Sequence, residues 1–60
     1  MYYVTTGNVI WSAHRSTEAA FRSKTRLEAM WSYVFGIHAI DGKWAKGDTP
    51  APRYFGEVIA

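Results

Sequence analysis

The sequence predicts an α+β domain: a small three-stranded antiparallel sheet, made of an N-terminal hairpin and a C-terminal strand, packed against one helix. Three observations carry this expectation. Residues 1–14 are rich in Tyr, Val, Ile, Thr and Trp on either side of Gly7-Asn8. Residues 17–35 contain no Gly or Pro and place apolar side chains at helical spacing. Residues 53–59 return to aromatic and β-branched side chains after a proline-containing loop.

The hairpin follows from its turn. Gly7-Asn8 is a two-residue connection, and its glycine supplies the positive φ that a tight hairpin turn requires. Regular pairing then sets Thr6 opposite Val9, Val4 opposite Trp11 and Tyr2 opposite Ala13, all on one face. Tyr3, Thr5, Ile10, Ser12 and His14 fall on the other, more polar face.

Ser16 is a fair N-cap after Arg15, and Glu18 is favourably placed against the helix dipole. In a helix of about 17–35, Ala20, Leu27, Trp31 and Val34 form one stripe, with Ser23 and Met30 beside it. Glu18 with Arg22 and Lys24 with Glu28 are spaced for ion pairs. Gly36 suits the left-handed position after the last turn. A competing reading takes Thr25-Arg26-Leu27-Glu28 as a capping box, starts the helix at Arg26 and makes residues 18–23 a third hairpin strand. Glu-Ala-Ala-Phe-Arg favours helix over strand, so the long helix is preferred.

Residues 37–52 read as a loop, with Asp41-Gly42 able to join short strands at 37–40 and 43–45. Pro50 and Pro52 exclude a central strand there. Residues 53–59 close the sheet, with Gly56 as a candidate bulge. The expected core is Val4, Val9, Trp11, Ala20, Leu27, Trp31 and Val34, with Phe55 or Val58 added by the closing strand.

Composition bounds what such a domain can do. The chain has 60 residues, 48% hydrophobic, 17% aromatic and 20% charged, which suits a single folded domain and excludes a disordered tail. A domain of this size buries only about 60% of the surface its unfolded chain exposes. There is no cysteine to staple it, and Leu27 is the only leucine. Bulk must come from aromatic side chains or from burial against another chain, so self-association is a live expectation. The start of the chain lacks the basic and apolar run of a signal peptide, and the most apolar stretch, 29–40, is shorter than the roughly 20 residues of a membrane span. The chain reads as the whole product of a small open reading frame, of a kind common in bacteria and their viruses, and a cytoplasmic location is expected. Residues 29–35, preceded by Arg22, Lys24 and Arg26, have the look of an interfacial anchor, but the hairpin needs the same apolar stripe.

Catalysis and metal chemistry find little support. His14 and His38 are the only imidazoles, too few and too isolated for a zinc site, so neither metal nor cofactor is expected. The carboxylates Glu18, Glu28, Asp41, Asp48 and Glu57 are scattered. Gly42-Lys43 is followed by Trp44, which breaks a phosphate-loop pattern. No glycine-flanked nucleophile is present. The expectation is a non-enzymatic accessory or regulatory protein that works through a macromolecular contact.

A protein partner, or a second copy of the chain, is the first choice. The candidate interface is the sheet edge and aromatic surface of Tyr33, Phe35, Tyr54, Phe55, Val58 and Ile59. Nucleic acid is the alternative, contacted by Arg15, Arg22, Lys24 and Arg26 and by Lys43, Lys46 and Arg53, with Tyr3, Trp44 and Tyr54 available to stack on bases. A net charge of +2 and a pI near 9.2 permit an anionic partner without demanding one.

Overall fold

The computed structural model describes residues 1–60. In chain order the elements are β1 (Tyr2–Thr6), β2 (Val9–His14), α1 (Thr17–Met30), β3 (Gly36–Ile40) and β4 (Phe55–Val58), the last preceded by a 3-10 turn at Pro52–Tyr54. The sheet is antiparallel and has four strands rather than three, in the order β2-β1-β3-β4. The added strand lies in the middle. β3 runs through the start of the expected loop and pairs with both β1 and β4.

The hairpin closes as expected at its turn, with Gly7 at φ 59° and Thr6 opposite Val9. Farther along, a bulge at Trp11 shifts the register, so Val4 faces Ser12 and Tyr2 faces His14. The shift has a packing cause. It sets the Trp11 ring edge-on to Phe35, centroids 5.2 Å apart, while Ser12 meets Ser23 of α1 through their hydroxyls at 2.9 Å. Ser12 and His14 thereby join the helix face. Tyr3, Thr5 and Ile10 remain on the other face and are buried there, so that face is not the polar one.

Ser16 caps α1 by accepting a hydrogen bond from the Ala19 N–H at 3.2 Å. Residues 18–23 are helical, which removes the capping-box alternative; the Thr25 hydroxyl donates instead to the Phe21 carbonyl at 3.0 Å. Lys24 and Glu28 form an ion pair at 3.2 Å, whereas Glu18 and Arg22 do not. The helix ends at Met30, short of 35, because Trp31 is extended (φ −130°, ψ 145°). Residues 31–35 uncoil toward β3, and this delivers Phe35 and Ile37 into the core. An unbroken helix to 35 would hold Phe35 off the stripe that faces the sheet.

Two small cores result, one on each sheet face. Under α1 lie Val4, Ala20, Phe35 and Ile37, with Tyr2, Trp11, Leu27 and Ile59 around them. On the opposite face Tyr3, Ile10 and Ile40 are covered by Trp44, Tyr54 and Phe55. Several expected core residues lie elsewhere: Val34, Val58 and Trp31 are exposed, and Val9 is half-buried. Their places are taken by Tyr3, Ile10, Phe35, Ile37 and Ile40. β3 is buried on both faces, so Gly-Ile-His-Ala-Ile lacks the apolar–polar alternation of a half-exposed strand.

The connection between β3 and β4 is tied down by long-range bonds. The Tyr3 hydroxyl donates to the Gly42 carbonyl at 2.8 Å and accepts from the Trp44 N–H at 3.1 Å. Farther on, the Ile10 N–H donates to the Asp48 carbonyl at 2.9 Å, and the Gly47 N–H donates to the Ile10 carbonyl at 2.8 Å. The outer edge of β2 is thus blocked at Ile10 by the chain's own loop. Beyond β4, Ile59 and Ala60 stay bonded to the backbone of Ile37.

Candidate functional site

The end of α1 builds the most distinctive surface. The Trp31 N–H closes the last helical turn on the Leu27 carbonyl at 2.8 Å, and the Thr6 hydroxyl holds the Val34 carbonyl at 2.9 Å. Between these anchors the chain bends at Ser32 and Tyr33 and its side chains stand in solvent. Met30 is 66% exposed, Trp31 45%, Tyr33 52% and Val34 87%. Trp31 and Tyr33 lie nearly parallel, 10° apart with centroids at 6.0 Å. Trp11 completes the trio, 5.8 Å from Trp31 and 6.0 Å from Tyr33, tilted to both. Phe35, buried beneath, touches Trp11 and Tyr33 edge-on. Such a ring cluster is held by its own packing and presents a large apolar area with little side-chain entropy left to lose on binding.

Two polar features adjoin these rings. Lys46 reaches from the β3–β4 connection and sets its Nζ 5.5 Å from the centroid of the Trp11 ring. No carboxylate pairs with it, because Lys24 to Glu28 is the one ion pair in the molecule. The indole N–H of Trp11 is buried and has no hydrogen-bond acceptor.

Of the six residues expected at a protein interface, Tyr33 lies in the patch, and Phe35 is its buried floor, unavailable to a partner. Tyr54 and Phe55 pack over the second core and Ile59 against the first. Val58 is exposed at the β4 edge, on the opposite flank of the sheet from the β2 strand that carries Trp11. These residues therefore do not form one surface.

The expected nucleic-acid cations are also spread out. Arg22 and Arg26 flank a shallow groove on the outer face of α1 with Glu18, Phe21 and Thr25. Lys24 is engaged by Glu28, and Arg53 stacks on Tyr54 at 4.8 Å while donating to its hydroxyl at 3.0 Å. Arg15 and Lys43 are exposed, Arg15 just before the helix and Lys43 in the β3–β4 connection. Of the proposed stacking residues, Tyr3 is buried, and Trp44 and Tyr54 pack on each other with centroids at 5.2 Å.

Trp11, Trp31 and Lys46 were not expected to meet beside Tyr33. One sequence signal did exist: Trp31, Tyr33 and Phe35 recur every second residue, the period of extended chain rather than of a helix.

No group of three or more His, Asp or Glu side chains converges in the structure. His14 Nε2 lies 2.8 Å from the Ser12 hydroxyl. His38 packs edge-on to Phe55 at 5.3 Å, and its Nδ1 is buried without a partner. Burial lowers the pKa of both imidazoles from the ordinary value. A base whose folded pKa is lowered leaves stability at its full value above the unfolded pKa of about 6.5. That stability is lost as pH falls from there through the lowered folded value. His38→Gln is expected to flatten part of this acid loss in urea titrations at successive pH values. An unchanged profile would show that His38 protonates freely in the fold.

These features define a small α+β domain, one helix on a four-stranded antiparallel sheet, that displays a packed aromatic patch at the end of its helix. No helix is long and apolar enough to cross a membrane. No protein-family model, curated protein or solved structure matches the chain.

Proposed function

We propose that the chain is a small non-enzymatic accessory protein that acts by binding another protein through the patch of Trp31 and Tyr33 on Trp11. One observation carries this reading: four consecutive residues, 31–34, are exposed, and two of them are aromatic and stacked. Isolated exposed apolar side chains are ordinary, but contiguous aromatic ones mark contact surfaces. Alanine, serine or lysine in their place would give the same fold a better-solvated surface.

The test is photocrosslinking in cells from a benzoylphenylalanine placed at Tyr33, compared with one placed at Ala13, which is exposed on β2. A discrete protein adduct from position 33 alone is the expected result. Adducts from both sites, or from neither, would overturn the assignment of this surface.

Nucleic-acid binding is the second reading, supported by Arg22 and Arg26 standing one turn apart on the outer helix face without carboxylate partners. It expects nucleic-acid adducts from the Thr25 position and a steep salt dependence.

A further inference from the structure

We infer that the bend at Asp41-Gly42 is a self-modification site, where aspartate converts to isoaspartate through a cyclic imide. The reaction is intramolecular and takes no cofactor. The Gly42 amide nitrogen attacks the side-chain carboxyl carbon of Asp41 and a C–N bond forms. The amide proton and the carboxyl hydroxyl leave as water. Water then opens the imide at either carbonyl. Opening at the side-chain carbonyl restores aspartate. Opening at the main-chain carbonyl leaves a free α-carboxylate and a backbone lengthened by a methylene.

The structure leaves this step open on both sides. Asp41 and Gly42 are exposed where the chain leaves β3. The Asp41 carboxylate holds no hydrogen bond or ion pair, so nothing ties down the carbon under attack. The Gly42 N–H donates to no acceptor, so the nucleophile has no bond to break first. Glycine brings no side chain to shield that nitrogen, and its φ of 91° is one that other residues rarely adopt. The neighbouring indole assists. The Trp44 indole N–H donates to the Asp41 carbonyl at 2.7 Å, and that oxygen belongs to the same peptide unit as the attacking nitrogen. As the nitrogen gives up its proton, negative charge spreads onto the oxygen, where a donor already in place stabilises it.

The comparable steps elsewhere are closed. The Asp48 carboxylate accepts the Ala45 N–H at 2.8 Å, the Asp48 carbonyl accepts from Ile10, and β-branched Thr49 crowds the nitrogen that would attack. Asn8 precedes Val9, which is also β-branched and is held in the sheet opposite Thr6. The product at 41 has a structural effect. The Asp41 N–H donates to the Tyr54 carbonyl at 3.1 Å, and the Tyr3 hydroxyl bridges Gly42 and Trp44, so both ties depend on the present spacing of residues 41–44. A lengthened backbone breaks that spacing and loosens the cover of the second core.

The experiment ages the intact protein at physiological temperature in heavy-oxygen water, with a parallel sample in urea. Peptide mapping by mass spectrometry with electron-transfer fragmentation then tells isoaspartate from aspartate at each position. Isoaspartate and heavy oxygen at Asp41 of the native protein, formed at least about tenfold faster than at Asp48, are the expected result. Asp41→Glu keeps the charge but would have to close a larger ring, and is expected to lose the conversion with an unchanged dichroism spectrum. Conversion in urea with aspartate retained in the native protein would show that the fold protects this step, and would overturn the inference. Equal conversion at Asp41 and Asp48, or none in either sample, would overturn it too. In the isomerised fraction, separated by chromatography, amide exchange at Trp44 is expected to quicken; unchanged exchange there would overturn the loosened cover.

Discussion

Ile37→Ala is expected to leave the protein largely unfolded at room temperature. Ile37 is fully buried in the central strand, between Val4 on β1 and the helix. Removing three methyl-sized groups from such a site costs about 2–5 kcal/mol, through lost transfer energy and the cavity left behind. The reserve is small: a domain of this length has a total stability of about 3–9 kcal/mol at the usual value per residue, and small cores tend to the lower end. A urea titration followed by tryptophan fluorescence and far-ultraviolet dichroism checks this directly. The paired control is Val34→Ala, which a helical stripe through residues 27, 31 and 34 would make comparably damaging. Val34 is 87% exposed, so its truncation is expected to shift stability by no more than about 0.5 kcal/mol. The reverse pattern, a harmless Ile37→Ala beside a damaging Val34→Ala, would mean that the helix runs on to 35 and that β3 is not the central strand.

Tyr3→Phe is expected to destabilise the protein by about 1–3 kcal/mol, with the damage concentrated in the β3–β4 connection. The substitution keeps the ring in the second core but removes the hydroxyl that bridges the Gly42 carbonyl and the Trp44 N–H. Both backbone groups then lose a partner in a part-buried setting. The same connection carries the Gly47 and Asp48 bonds to Ile10, so the loss spreads to the β2 edge. Amide hydrogen exchange should show weakened protection at Trp44, Gly47 and Ile10, while the α1 amides keep theirs. Undiminished protection at those amides would show that the connection is held by its apolar contacts alone.

What could be read in the sequence was what depends on neighbours along the chain. The hairpin turn at Gly7-Asn8, the Ser16 cap, the start of the helix and its Ala20–Leu27 stripe are all local signals, and all are present in the fold. The failures arise where distant residues decide. The Trp11 bulge answers to Phe35 and Ser23, which lie on other elements. β3 was offered only as a short strand at 37–40 paired with 43–45, not as an inner strand between β1 and β4, because burial on both faces erases alternation and because His38 reads as polar when seen alone. The covering of the second core depends on a tyrosine hydroxyl meeting residues about forty positions away, a pairing that no window of sequence displays. Of the aromatic patch only Tyr33 was legible, and for a similar reason: Tyr33 stood off the helical stripe, while Trp31 fit it and so was placed inside.

The loop bonded to Ile10 has a consequence for how copies of this sheet can meet. With the β2 margin obstructed by the chain's own backbone, β4 is the margin left for strand addition, and its Val58 side chain is exposed there. A sheet open along both margins can add neighbours without limit, which is the geometry of a filament. A sheet open along one margin is used up by its first partner. Two copies joined through β4 would each have spent the edge that joined them, so growth would stop at a pair.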